Sequence, residues 1–281
     1  MESRSDELIR KKVERLKSLP TLPTVVAKIS RMVESADTSA EELGKIISTD
    51  QVLAAKVLQL INSPIYGFPG RISSVTHGVV LLGFNVIKSL VLTASVFDIM
   101  IERMQGLWEH SIGCAGIAVR IARRFPSLDP EEVSTAGLLH DLGKVVISSQ
   151  IPDEFQKIID CVKNEKRYFI ECEREIIGTD HAKIMRWVVK DWNLPLALVE
   201  PILYHHTPIL SRNAPLQTAV VHLSDILVKA WGYGLSEDIY VPPLDMGAWK
   251  RLGFSMDEIK TLVVEAKEEI ESVDAFDLLG L

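Results

Sequence analysis

An all-α protein is predicted, and three observations predict it: apolar residues recur at helical spacing almost everywhere, no stretch sustains strand alternation between hairpin turns, and helix-starting devices recur along the chain. With helices of about 11 residues, a chain of this size accommodates roughly thirteen or more of them. Leu19-Pro20-Thr21-Leu22-Pro23 is rigid punctuation. Ser39-Ala40-Glu41-Glu42 is a capping box: the hydroxyl accepts from an orphan amide and Glu42 reaches back, starting a helix expected to end near Thr49. Proline and glycine crowd residues 62–70 and interrupt the helices again. Residues 79–97 are apolar enough to span a bilayer, but Asn85 and Lys88 lie near the middle and Gly83 divides the run, which predicts a buried core helix. The softest boundary falls at 103–106. It divides an N-terminal helical lobe, residues 1–105, from a second helical lobe, residues 106–281, that ends in a helical cap.

In the second lobe, Gly113-Cys114-Ala115-Gly116 lacks bulk and lets another helix pack close. Asp129-Pro130-Glu131-Glu132 supplies an N-cap carboxylate, an N1 proline and an acidic first turn, fixing the start of the helix that carries His140. That helix is expected to stop at Gly143 or to run briefly past it. Thr179-Asp180 precedes a helix start at His181, and a helix opening at Pro195 ends at His205-His206. Trp231-Gly232-Tyr233-Gly234 opens a long irregular connection ending near Pro242-Pro243, and Ser255-Met256-Asp257-Glu258 repeats the capping box.

Composition narrows the function. A net charge of -7 without a run of Lys and Arg argues against nucleic acid as a partner. With 47% hydrophobic residues and charges mixed along helical faces, the chain reads as soluble and globular. Its polar first residues carry no signal-peptide core, so a cytoplasmic protein with no membrane partner is expected. Cys114, Cys161 and Cys172 are odd in number and form no Cys-x-x-Cys pair; they are expected as buried thiols rather than a disulfide framework.

His140-Asp141-Leu142-Gly143-Lys144 carries the chemistry. A neutral imidazole is a borderline ligand and an ionised Asp offers two oxygens that can bridge two cations, a combination suited to a divalent transition metal. Gly143 permits close approach, and Lys144 brings a cation that can meet a phosphate. Past the lobe boundary come His110, His140, His181, His205, His206 and His222, on five different predicted helices or at their ends, with Asp225 one turn after His222. Polar groups in such places cost stability unless they meet each other, a metal or water.

His110, His140, Asp141 and Asp225 occur in the order that marks the HD-domain metal-dependent phosphohydrolases, which the chain resembles. His181, His205 and His206 look like the added ligands of the two-metal branch typified by the HD-GYP cyclic-di-GMP phosphodiesterases, whose His-Asp-x-Gly-Lys is also matched. Two departures stand out. The Gly-Tyr-Pro of that branch is absent after His206, where Thr207-Pro208-Ile209-Leu210 stands, and position 106 is Gly rather than an acid. Both favour one or two ions over three and argue against cyclic-di-GMP. The 19–30 segment, the 50–60 segment and Ile61-Asn62-Ser63-Pro64-Ile65-Tyr66-Gly67 with the following 72–92 resemble the HDOD domain, the HD-related output domain of bacterial signalling proteins, over about 16–230. Members of that group commonly lack the metal-binding residues; this chain keeps them.

The resemblance implies a signalling output protein whose retained site, His110, His140, Asp141, His181, His205, His206 and Asp225, holds one or two divalent ions. Fe or Mn is favoured, with Zn or Ni as alternatives. It also implies a phosphate-containing ligand met by Lys144, and a signalling partner on the N-terminal lobe. A working phosphohydrolase on a nucleotide or cyclic dinucleotide, with Asp141 and Lys144 as its catalytic groups, is the second reading, and a metal-free interaction scaffold the third. His222, the weakest ligand candidate, is expected to orient Asp225 from behind.

Overall fold

In the computed structural model, residues 28–29, 32, 38–63, 65–66, 68–104, 106–189, 194–234, 238 and 240–271 are described, and all regular structure among them is helical. The Leu-Pro-x-Leu-Pro motif at 19–23 lies outside the described residues. The helices are α1 (Ala40–Ile47), α2 (Gln51–Ile61), α3 (Val75–Arg103), α4 (Leu107–Ala122), α5 (Pro130–Leu139), α6 (Leu142–Gln150) and α7 (Pro152–Glu165). They continue with α8 (Phe169–Ile177), α9 (His181–Val189), α10 (Leu196–Tyr204), a 3-10 turn (Pro208–Leu210), α11 (Pro215–Trp231), α12 (Met246–Leu252) and α13 (Met256–Glu271).

Local chemistry starts these helices where the sequence places them. Ser39 and Glu42 form the reciprocal capping box of α1, Asp129 accepts from the Glu131 and Glu132 amides at the start of α5, and Ser255 with Glu258 repeats the box before α13. Gly83 breaks α3 with φ 78 and ψ 168, a conformation glycine adopts without a steric penalty. The stretch Val75–Ser95 is long and apolar enough to cross a membrane, yet 61% of an apolar 18-residue segment of it is buried within the protein. Lys88 on its inner face is fully buried.

α3 joins the two ends of the molecule. It packs on α1 and α2 at one side and on α4, α5 and α6 at the other, so one continuous apolar core runs from Ile29 to Ala266. Asn62 fixes the segment after α2, its amide donating to the Leu58 and Ile72 carbonyls and its oxygen accepting from the Ile72 N–H. Tyr66, from the same segment, lies 3.3 Å by its hydroxyl from Thr135 Oγ1 on α5. Around the later helices, α4 packs on α5, α11 and α13, and α10 lies against α5, α9 and α11.

Two expectations need correction here. The helix carrying His140 ends at Leu139, and a new helix begins at Leu142, so the chain turns between His140 and Asp141 rather than at Gly143. Gly143 serves a different need: a Cβ there would strike the His181 carbonyl where α6 meets α9. Cys161 and Cys172 are joined in a disulfide between α7 and α8, with Cα atoms 6.0 Å apart; Cys114 alone is free and buried. Spacing could not reveal the pair, since adjacency arises from the way α7 and α8 pack.

Candidate metal centre

Small residues set the helices close enough to make a site. A Cβ on Gly137 of α5 would lie 3.2–3.3 Å from the Cys114 and Ala115 backbone, and one on Gly113 of α4 would reach Val228 of α11 and Tyr233 at 3.0 Å. Gly234, at φ +60, is seated so tightly on the His110 backbone that any Cβ would collide with it. This close packing brings the first turn of α4, the α5–α6 turn, the start of α9, the end of α10 and the middle of α11 to one buried place.

Two groups of donor atoms result. His110, Cys114, His140 and Asp225 form one, and Asp141, His181, His205 and His206 the other; within each, the ligating atoms lie within 4.8 Å of one another. Asp141 stands between them. Its Oδ2 lies 3.4 Å from His140 Nε2 and 3.7 Å from His110 Nε2, while its Oδ1 lies 3.0 Å from His181 Nε2 and 3.7 Å from His205 Nε2. Asp225 Oδ1 is 3.1 Å from His110 Nε2 and 3.6 Å from His140 Nε2. All seven residues named from the sequence as candidate ligands therefore meet, and Cys114, which was not named, joins them.

The hydrogen bonds behind the rings fix which nitrogens face inward. His140 Nδ1 donates to the Gly137 carbonyl at 2.7 Å and His205 Nδ1 to the Ile202 carbonyl at 3.0 Å. Carbonyls only accept, so these Nδ1 atoms carry hydrogen, and in the neutral rings the Nε2 atoms present lone pairs to the centre. His181 Nδ1 is held at 2.7 Å by Glu173 Oε2, an arrangement that raises ligand basicity. The inward Nε2 atoms approach closely: His110 to His140 at 3.3 Å, His181 to His205 at 3.3 Å and His206 to His181 at 3.0 Å. Asp141 Oδ1 and Asp225 Oδ1 are buried and face imidazole nitrogens, and Asp225 Oδ1 also faces the Lys229 ammonium, rather than water. Imidazole nitrogens packed this closely beside buried carboxylate oxygens are stabilised when protons or a cation lie between them. A divalent transition metal fits that donor set.

The charges agree. Burial opposes ionisation of Asp141, but His140 and Lys144 hold its carboxyl well below the usual range; burial likewise opposes Asp225, which Lys229 and His110 hold low. Burial would lower His140 and His181, yet Asp141 draws the first up to about 9, and Glu173 and Asp141 draw the second up to about 10. His205 and His206 are driven well below the ordinary imidazole value by burial and by the neighbouring histidines. Burial, with Asp225 and Asp141 nearby, pushes the Cys114 thiol up.

Lys144 is fully buried, with Nζ 2.7 Å from Asp141 Oδ2 and 3.2 Å from Asp238 Oδ2. Lys229 completes a second half: its Nζ is 3.0 Å from Asp225 Oδ1 and 2.7 Å from the same Asp238 oxygen. His222 does not contact the Asp225 carboxylate; its Nδ1 donates to the His205 carbonyl and its Nε2 accepts from the Asp245 N–H, so it braces the end of α10 instead. Its place one turn before Asp225 misled because the ring points to α10 across the helix interface. Glu173, Lys229 and Asp238 were not read from the sequence. Glu173 carried a signal, since it lies four residues from both Phe169 and Ile177 on the buried stripe of α8. Lys229 lies one turn after Asp225, a pairing position; Asp238 lies in the irregular connection and carried none.

An all-helical protein whose His110, His140-Asp141 and Asp225 meet in its interior belongs to the HD superfamily of helical domains. Within it, the chain is a member of the HDOD family, whose HDOD domain model matches residues 19–208; Asp225, Lys229 and Asp238 lie beyond that span. A Geobacter sulfurreducens HDOD domain protein of unknown function has a similar structure, with 28% identity, 98% coverage of each chain and a TM-score of 0.71. The fold is also that of a Shewanella amazonensis protein named for a suspected phosphohydrolase activity, at 22% identity, 96% and 91% coverage and a TM-score of 0.64. An uncharacterized Treponema pallidum protein is 25% identical over 215 residues, which are 73% of this chain and 41% of that protein. The chain thus spans less than half the length of that relative.

Proposed function

We propose that this HDOD protein is a signalling output module whose retained centre binds one or two divalent transition-metal ions and, through them, a phosphate-containing ligand. Asp141 carries the reading, because it turns one carboxylate oxygen toward each of the two histidine groups. His110, His140, Asp141, His181, His205, His206 and Asp225 would hold the ions, with Fe or Mn favoured by the mixed imidazole and carboxylate donors. A bound cation would act as a Lewis acid toward a phosphate oxygen. In this reading residues 1–105 form the partner-binding lobe, residues 106–281 carry the centre, and the protein works in the bacterial cytoplasm. The Tyr66–Thr135 contact supports coupling of the two, since Thr135 lies on the helix that presents His140. The second reading, a phosphohydrolase acting on nucleotides or cyclic dinucleotides, draws support from the same carboxylate placement, which suits a pair of ions.

Metal analysis of protein purified without a histidine tag or chelator tests the proposal. We expect a transition metal at about one or two ions per chain, and near-complete loss in Asp141→Ala, because no imidazole replaces a carboxylate that serves both groups. Metal-free wild-type protein after reconstitution attempts would overturn it. Rapid turnover of a nucleotide or cyclic dinucleotide, abolished in Asp141→Ala, would establish the second reading instead.

A further inference from the structure

We propose that Lys144 and Lys229 together form an anion subsite beside the metal centre, and that the Asp238 carboxylate occupies it as a tethered competitor of the ligand's phosphate. The inference rests on the reading that the centre holds metal and takes a phosphate. Its basis is a chain of alternating charge: Asp141, Lys144, Asp238, Lys229 and Asp225 are all buried, and one Asp238 oxygen lies 3.2 Å from one ammonium and 2.7 Å from the other. Each lysine is already neutralised by a carboxylate of the candidate ligand set. Asp238 is therefore the third negative charge shared by two positive ones.

Its origin differs from that of its partners. Lys144, Lys229, Asp141 and Asp225 belong to helices or to the tight α5–α6 turn, whereas Asp238 comes from the connection between α11 and α12. That connection begins with Gly232 at φ +77 and Gly234 at φ +60, and Gly234 seats directly on the His110 backbone. An ammonium is a compact point charge with three donors and donates to a phosphate oxygen in the same geometry as to a carboxylate oxygen. Divalent ions at the histidines would add positive charge that a single carboxylate does not offset, while a phosphate group brings close to two negative charges at neutral pH. Asp238 accordingly sets a threshold: weakly charged anions fail to displace it, and a phosphate attracted by the loaded centre succeeds.

The test is isothermal titration of inorganic phosphate into the full chain loaded with Mn²⁺, with metal content measured on the same samples. Wild type is compared with Asp238→Ala, with Asp238→Asn, which keeps the shape and removes the charge, and with Asp238→Asn combined with Lys229→Met. If Asp238 fills the subsite most of the time, its loss raises the competent fraction and tightens phosphate binding by roughly tenfold, and removing Lys229 as well cancels the gain. Equal phosphate affinity in wild type and the Asp238 variants, with metal retained, would overturn the inference while leaving the metal centre standing. Loss of metal in both Asp238 variants would make Asp238 a structural brace and overturn it too. Metal-free samples throughout, wild type included, would bring down the reading on which it rests.

Discussion

At the residue scale the centre depends on groups that never face its middle. Glu173 touches both the ring and the backbone N–H of His181, at 2.7 and 3.2 Å, and so sets the direction of that Nε2. Replacing it by Gln keeps the volume and removes the charge that makes the imidazole basic. Glu173→Gln is expected to weaken metal binding by about 10- to 100-fold with little change in helicity; competition titration against a chromophoric chelator measures this, and unchanged affinity would show that the His181 ring is held by packing alone. The inward groups could be read from the sequence because histidine and paired His-Asp are rare, chemically legible residues. Their supports could not be read as easily: Glu173 shows only as an acid on an apolar stripe and Lys229 only as a charge one turn after Asp225, while Asp238 has no periodicity around it.

At the scale of elements, helix starts were legible and one helix end was not. Ser39, Asp129 and Ser255 announce their helices by local hydrogen bonding, which needs no tertiary context. The turn between His140 and Asp141 is set by where α6 must lie against α9, so the glycine two residues later gave a false stop signal. Another element-scale device joins α10 to the start of α11. Glu200 accepts from Ser211 Oγ, from the Arg212, Asn213 and Ala214 amides and from the Asn213 side chain, pinning the 211–214 turn. Burial would raise its carboxyl, but the bonds from Ser211, Asn213 and Ala214 outweigh this and bring it down to about 2. A depressed carboxyl contributes stability that is fully present above its unfolded value and is lost as pH falls through the folded one. Glu200→Gln should therefore lower stability near neutrality by on the order of 1–3 kcal/mol after allowing for solvent screening. The deficit should shrink as pH falls from about 4.5 toward 2. Urea midpoints of both proteins across that range measure it, and a deficit independent of pH would assign the loss to packing.

At the scale of the whole molecule, the all-helical class followed from periodicity and the absence of strand patterning, and the apolar 75–95 stretch proved a mostly buried helix of the common core. The disulfide between Cys161 and Cys172 was invisible, because residue count and spacing say nothing about which helices pack side by side. A centre supplied by five separate segments ties global stability to its occupancy. Metal at a hundred times its dissociation constant contributes about 2.7 kcal/mol, so a chelator should lower the melting temperature of the loaded protein by roughly 5–10 °C. Differential scanning calorimetry with and without chelator checks this, and coincident transitions would mean that the metal also binds the unfolded chain or binds too weakly to matter. The two donor groups also differ in when they can exist. Asp141, His181, His205 and His206 are all in place along the chain before α11 begins, whereas His110, Cys114 and His140 wait for Asp225 in its middle. During synthesis from the N-terminus, the second group in space can be completed first in time. Docking of α11 then closes the longest loop in the centre, from His110 to Asp225, and that step carries its largest loop-closure entropy.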